Sequence, residues 1–342
     1  MKKAICLALT LLLILSIFAI SGCSKSVKQL DLQVIKSYPK DAAPSQIVKT
    51  DNHWILLMNT YGQSKYSISV GEDLDGQNEI YSVDDVKIWY IDANENAIVW
   101  SERTTDSAIF KLYDLKTQKV ETFFKINRES YQPMNVGIYL NKVYYGWIDY
   151  ENQEVYACAY DIGSKAPSVV YKEAYVEENL PYSTNLDGEY LSFVSSGRIK
   201  VFDLKNNEIP FDASLPDDVV YAYTASYDKA NETCAVYYAD GDSEDIGIFK
   251  ESDFFIDSHI TFPENVYAFH EKVECVDGHM YLIIQRNVSG QIADHYDYID
   301  YDYTERMPLE GDMAFSFCRS GDETYLLRYN GSEYTHIELC KY

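Results

Sequence analysis

The chain has 342 residues, 46% of them hydrophobic, with 54 acidic against 29 basic side chains and a net charge of −25. A charge this negative argues against nucleic acid as a partner and against electrostatic adhesion to anionic lipid, so no nucleic acid is expected. The seven cysteines form no CxxC pair and the six histidines no HxH or HxxxH pair, so neither a zinc site nor any other cofactor is expected.

The amino end opens with Met1-Lys2-Lys3, an apolar run from Ala4 to Ile20, and Ser21-Gly22-Cys23. Two lysines, a short hydrophobic stretch and small residues before a cut site make a secretory signal. A retained membrane-spanning anchor is the alternative for such a run. The tail of the run, Ile20-Ser21-Gly22-Cys23, resembles the bacterial lipobox. That resemblance implies that residues 1–22 are a lipoprotein signal peptide and that Cys23 is the lipid attachment site. There the thiol would carry a thioether-linked diacylglyceride and Cys23 would become the new amino terminus. Two or more acyl chains, such as palmitate, hold a protein on a membrane stably. The expected location is the extracytoplasmic face of a cell membrane. Loss of Lys2 and Lys3 from the 29 basic residues leaves 27 against 54 acidic ones, a net charge of −27. Residues 23–30 then form a lipidated tether, since Ser24–Leu30 (SKSVKQL) is polar and aperiodic.

Residues 31–342 carry one repeated form, a tight polar turn followed by a short apolar run. The first apolar positions are Trp54, Ala97, Val143, Tyr190, Cys234, Met280 and Tyr325, spaced by 43, 46, 47, 44, 46 and 45 residues. A period of about 45 residues built from short strands is the signature of a β-propeller blade. Aromatic residues suit strands, and 32 tyrosines with 14 phenylalanines support an all-β chain. Seven runs predict seven four-stranded blades. In the second unit the strands are expected at Lys87–Ile91, Asn96–Glu102, Ala108–Leu115 and Val120–Lys125. The turn after Asp114 recurs after Asp161 and Asp203, where Asp, Asn and Gly serve tight hairpins. The second strand of each unit reads as a continuous apolar run because blades cover both of its faces. The last unit supplies only three strands before Tyr342. The missing edge is predicted to be Leu32–Tyr38, which would close the ring and protect an open sheet edge.

A lipidated, secreted chain of irregular Tyr-rich blades resembles bacterial lipoproteins with TolB-like β-propeller domains. The resemblance covers residues 31–342 and implies fold alone, apart from the lipobox cysteine. The blades lack the Gly-His and Trp-Asp pairs of WD40 repeats and the paired glycines of kelch repeats.

No catalytic motif is present: there is no Gly-x-Ser-x-Gly, Walker loop or Rossmann glycine pattern. Two acidic loops, Asp73–Glu79 and Asp240–Asp245, have the alternating oxygens that calcium needs, but neither continues to the closing glutamate of an EF-hand. Cys158, Cys234, Cys275, Cys318 and Cys340 read as small buried hydrophobes, with a Cys318–Cys340 bridge as the alternative. The loops that converge on a propeller's axis include 126–135, 173–182, 212–218 and 287–294. They carry or flank the ligand-binding candidates Arg128, Tyr131, Glu177, Tyr182 and Arg286, because aromatics with charged neighbours suit sugar or peptide recognition. The expected function is a membrane-anchored, non-catalytic binding or scaffold propeller for a glycan, peptide or envelope protein. The alternative is a secreted propeller hydrolase or lyase acting on glycan.

Overall fold

The computed structural model describes residues 32–59, 64–127, 135–177, 182–195, 197–215, 221–239, 244–250, 253–260, 266–276, 279–288, 291–302, 305–308, 314–330 and 336–341; from residue 250 to 315 the description is of the backbone. The chain is all-β. It begins with β1 (Gln33–Pro39) and a 3-10 turn, Lys40–Ala42. An antiparallel sheet follows: β2 (Pro44–Lys49), β3 (Trp54–Asn59), β4 (Lys65–Gly71) and β5 (Asn78–Asp84). The second sheet is β6 (Lys87–Ala93), β7 (Ala97–Arg103), β8 (Ser107–Asp114) and β9 (Lys119–Asn127), each predicted strand within a few residues of its place. The third is β10 (Val136–Tyr139), β11 (Lys142–Asp149), β12 (Glu154–Asp161) and β13 (Ala166–Ala174). The fourth is β14 (Ser183–Asp187), β15 (Tyr190–Ser195), β16 (Arg198–Asp203) and β17 (Glu208–Ser214). The fifth is β18 (Tyr221–Asp228), β19 (Thr233–Ala239), β20 (Glu244–Lys250) and β21 (Asp253–Ile260). The sixth is β22 (Val266–Val276), β23 (His279–Val288), β24 (Gln291–Asp302) and β25 (Glu305–Pro308). The last holds β26 (Ala314–Ser320), β27 (Glu323–Asn330) and β28 (His336–Lys341). Its fourth strand is β1, antiparallel to β28 with Gln33 opposite Lys341 and Pro39 opposite His336.

Among the described residues these are seven four-stranded sheets. Their first strands touch in sequence, β2 to β6, β6 to β10, β10 to β14, β14 to β18 and β18 to β22; β23 and β24 then reach β26, and β26 returns to β2. Antiparallel order gives each sheet two ends. The hairpins joining strands one to two and three to four lie at one end. The turns joining strands two to three, and the crossovers to the next sheet, lie at the other. We call these the hairpin end and the crossover end.

The second strands are buried on both faces, as their apolar runs require: β15 is buried throughout and β7 through Glu102. Side chains between neighbouring sheets form the core. Ile55, Leu57 and Ile68 meet Ile98 and Trp100; Val99 and Phe110 meet Tyr145; Trp54 and Leu56 meet Tyr325 and Leu327. Burying one such side chain contributes about 1.5–3 kcal/mol. Glu102, 2% exposed, is the exception in β7. It accepts from the indole of Trp100 at 2.8 Å and pairs with Lys111 at 3.0 Å, and Lys111 also donates to the hydroxyl of Tyr81 in the preceding sheet. A buried charge persists only when paired in this way.

The first strands are edges, so their backbone must find other partners. Side chains supply them across the gaps between sheets. Gln46 donates to the Trp89 carbonyl at 2.7 Å, Ile138 N–H to Asp92 at 2.9 Å, Thr184 to the Asn135 carbonyl at 3.2 Å, and Asn185 to the Ala225 carbonyl at 3.1 Å. The approach is tight at Gly137, where a Cβ would stand 2.7 Å from Leu186 Cδ2 and 2.8 Å from its Cβ. A side chain there would force the third and fourth sheets apart.

Candidate binding face at the crossover end

Cys23, Arg128 and Tyr131 lie outside the described residues. Arg286 sits near the end of β23, paired in the backbone with Ala268 and His295, at the crossover end. Glu177 is exposed just beyond β13, at the same end. Tyr182 is different. It is 3% exposed, and its hydroxyl both accepts from Val176 N–H at 2.9 Å and donates to the Val176 carbonyl at 3.0 Å. Its ring lies 5.9 Å from Tyr175 and 6.2 Å from Phe193. Tyr182 therefore ties Val176 to the core and is not offered to a ligand. A tyrosine in a loop between strands gives no sequence sign of which way it turns.

Two carboxyls near this end have opposite titration. Burial holds Glu173 above the usual carboxylate range even though Tyr171 donates to it at 2.8 Å. Burial also pulls Asp212 upward, but Arg198 at 2.6 Å and Lys200 at 3.1 Å outweigh it and hold the group low. Carboxyls driven apart in this way suit acid–base work. Here they lie on β13 and β17, the outer strands of their sheets, and Lys200 also stands 4.6 Å over the Tyr171 ring. Lys200 thus joins the third sheet to the fourth, on the outer side of both.

One cluster at the inner strands is not visible in the sequence. Lys87, at the start of β6, is the direct cross-strand partner of Arg103, at the end of β7. Both cations lie over the Trp89 ring, with Lys87 Nζ 3.9 Å and Arg103 Cζ 5.6 Å from its centre. The ladder between β6 and β7 is irregular between Ile88 and Ile91, and Trp89 lies in that stretch. The enclosed indole Nε1–H of Trp89 meets no hydrogen-bond acceptor. Only strand register reveals that residues 87 and 103 face one another.

The Asp73–Glu79 loop is a hydrogen-bonded turn between β4 and β5. Asp73 accepts from the backbone N–H groups of Asp75 and Gly76, and Lys36 pairs with Asp75 at 2.8 Å. The Asp73 and Asp75 carboxylates are thus engaged by the protein's own donors. Residues 240–243 of the second acidic loop lie outside the described residues. Among the described residues no group of three or more metal-ligating side chains occurs. Cys158, Cys234, Cys318 and Cys340 are buried and unbridged. Cys318 is on β26 and Cys340 on β28, with β27 between them, so the alternative bridge is absent. Burial pushes the Cys158 thiol up to about 11, which makes it unreactive at neutral pH.

No family model matches this chain, and no curated protein matches it. Solved structures do. The β-propeller domain of the Trilobed protease from Pyrococcus furiosus is similar over 89% of this chain and 94% of that one, with a TM-score of 0.57 and 11% identity. The β-propeller domain of Cps50 (Swd1) from Myceliophteria thermophila is similar over 90% and 99%, with a TM-score of 0.55 and 11% identity. A prolyl endopeptidase is similar over 85% of this chain but 46% of its own, with a TM-score of 0.56 and 12% identity. At these identities the likeness is one of fold: this chain has a β-propeller domain.

Proposed function

We propose that this chain is a lipid-anchored extracytoplasmic protein whose seven sheets act as the blades of one closed propeller. Its role is that of a non-catalytic binding or scaffold module for a glycan, peptide or envelope protein. The observation that supports this reading is the entry point of β1. Gln33 pairs with Lys341 at the hairpin end, so the chain enters the propeller from that end. A lipid on Cys23 would hold the hairpin end toward the membrane through residues 23–30. The crossover end, with Glu177, Arg286 and the Trp89 cluster, would then face outward. A rigid ring that presents many loops away from a surface suits recognition.

The test uses the full-length chain made in a bacterium supplied with a traceable palmitate analogue. The wild type should take up label and fractionate with membranes, and Cys23→Ser should do neither. Label on Cys23→Ser would remove the anchor from the reading. The purified wild type, screened against glycans and peptides, should bind without releasing product. Turnover abolished by replacing one Asp or Glu would overturn the non-catalytic role, because loss of a general acid costs about a hundredfold or more in rate.

A further inference from the structure

We propose that the hairpin end is a membrane-contacting face, with Leu140 entering the headgroup region of the phospholipid bilayer that carries the anchor. This goes beyond the scaffold reading and rests on its lipid at Cys23. Three observations converge on the same end of the molecule. First, the exposed apolar residues gather there. Of the seven large hydrophobic side chains exposed among the described residues, all but Val176 lie in the hairpin half. The outer strands start at the hairpin end, and Val34 and Ile35 on β1, Val120 on β9 and Ile209 on β17 are second or third in their strands. Val169 is fourth in β13, and Leu140 lies in a hairpin turn. Scattered apolar residues on a surface are ordinary, but their gathering at one end marks a contact face. Second, Leu140 is 68% exposed at φ +52°, where the equivalent turns of the fourth and last sheets have Gly188 and Gly321. A turn of this kind calls for glycine. The fold therefore does not account for a leucine held there at a cost. Third, the charges of this end suit a bilayer surface. Lys116, Lys119, Lys142, Lys165 and Lys205 are exposed in or beside the turns of the second to fourth sheets. Neighbouring acids are engaged: Asp114, Asp161 and Asp203 accept turn amides, Glu121 pairs with Lys165 and Glu189 with Lys205. Lysine stems cover apolar surface while their ammonium groups stay among the phosphates. The contact itself is apolar, so it does not require a basic chain.

The position of Leu140 in the ring supports the same conclusion. Gln33 brings the chain in at the hairpin end of the last sheet. The peptide links from Cys23 to Gln33 reach at most about 35 Å, so that rim stays close to the bilayer. In the order of contacts, the third sheet lies three steps from the last one way and four the other. Leu140 is therefore across the ring from the tether. A tether alone would let the ring tip. A second contact on the far side lays the hairpin end flat and turns the crossover end outward. The anchor already holds the chain at the surface, so this contact forms within one complex. A single apolar tip then suffices where it would be too weak alone.

The test uses the full-length chain, purified with its lipid and reconstituted into phosphatidylcholine vesicles that contain a doxyl-labelled lipid as quencher. An environment-sensitive fluorophore is attached at Leu140→Cys, at Ile209→Cys or, for the crossover end, at Glu177→Cys. Cys158, Cys234, Cys318 and Cys340 are buried, and the wild type corrects for labelling of any native thiol. The label at 140 should shift to the blue and lose roughly half of its emission or more to the quencher. The label at 209 should be quenched as well, and the label at 177 should not. Adding Leu140→Gly to Ile209→Cys should reduce the quenching at 209, because the ring is then free to tip. Melting temperature checks that each variant folds, and Ile209→Cys carries the test if Leu140→Cys does not. Flotation separates the two readings. A chain that does not float with the vesicles overturns the anchor and this face together. A chain that floats while the labels at 140 and 209 stay unquenched, or while the label at 177 is quenched as strongly, overturns the face and leaves the anchor standing. Unchanged quenching at 209 after Leu140→Gly overturns the role given to Leu140.

Discussion

Leu140 is the most exposed large hydrophobic residue described, at 68%, and its φ is +52°. It is the first of two turn residues between Tyr139 and Lys142, which are cross-strand partners. The equivalent positions in the fourth and last sheets are Gly188 (φ +57°) and Gly321 (φ +60°). A hairpin turn with positive φ at its first central residue calls for glycine there. A side chain in this region costs roughly 1–2 kcal/mol, and glycine gives back part of that through the unfolded chain. Leu140→Gly should therefore stabilise the protein by about 0.5–1 kcal/mol, read as a higher midpoint in urea at unchanged slope. A lower midpoint would mean that the leucine makes a stabilising contact. The sequence places Leu140 in a turn, between two strand-like runs, yet the cost at this residue depends on a backbone angle that composition does not encode. Tyr182 makes the same point from the other side. Its residue type suits a surface contact, yet its hydroxyl is bonded to the Val176 backbone.

One hairpin is used again and again. An aspartate ends a strand, and the residue four positions later has a positive φ: Asp114 and Gln118, Asp149 and Gln153, Asp161 and Lys165, Asp203 and Asn207, Asp228 and Glu232. In each, the aspartate accepts the backbone N–H of the residue three positions on: Thr117 at 2.6 Å, Asn152 at 3.0 Å, Ser164 at 2.7 Å, Asn206 at 2.8 Å and Asn231 at 3.3 Å. Aspartate caps such turns by replacing a backbone acceptor. These bonds affect titration. The Thr117 amide holds Asp114 below the usual carboxylate range, against a smaller opposing effect of burial, and the Ser164 amide and hydroxyl do the same for Asp161. At Asp203 burial pulls upward, but the bonds from Asn206 and Lys205 outweigh it and the group is also held low. A carboxyl whose folded pKa lies below its unfolded value, about 4, stabilises the fold above that pH and loses its contribution as pH falls through the folded pKa. The melting temperature of the wild type should therefore fall below about pH 4. A variant with Asp114, Asp161 and Asp203 all changed to Asn should melt lower at pH 7 and fall less on acidification. Parallel curves from pH 7 to pH 2.5 would show that these turns do not carry the effect. Three of the five turns are legible as Asp-containing hairpins in the sequence, because each sits between an apolar run and a polar strand. Those at Asp149 and Asp228 are not, because they are followed by Tyr150 and Lys229 where the other three are followed by Leu115, Ile162 and Leu204, so they do not recur as the same form.

At the scale of the molecule, the outcome turns on seven residues at one end of the chain. The last repeat has one strand too few in the sequence, and the strand-like segment before the first repeat is the natural candidate. That segment pairs with β28 from Gln33 to Pro39. What counting could not supply was how many further ties the closure makes. Tyr38 is buried against the interface of the last and first sheets, burial pushes its hydroxyl up to about 12, and Lys36 reaches across to the Leu74 carbonyl at 2.6 Å and to Asp75. Beside them Trp54 of the first sheet meets Tyr325 of the last edge-on, with ring centres 4.9 Å apart. The first and last sheets are thus joined by a backbone ladder, an aromatic contact and an ion pair. In a ring every sheet leans on two neighbours, so opening one junction exposes two faces that elsewhere are covered. Trp54→Ala should cost about 3–5 kcal/mol, the range for truncating a buried aromatic. Deleting residues 33–39 should cost more, because it also uncovers the β28 backbone and invites pairing with other chains. The deletion variant should melt well below Trp54→Ala, in a broader transition, and should associate at micromolar concentration. A deletion variant that melts as the wild type does, and stays monomeric, would show that β1 rests on a ring already held shut by the contacts between β2 and β26.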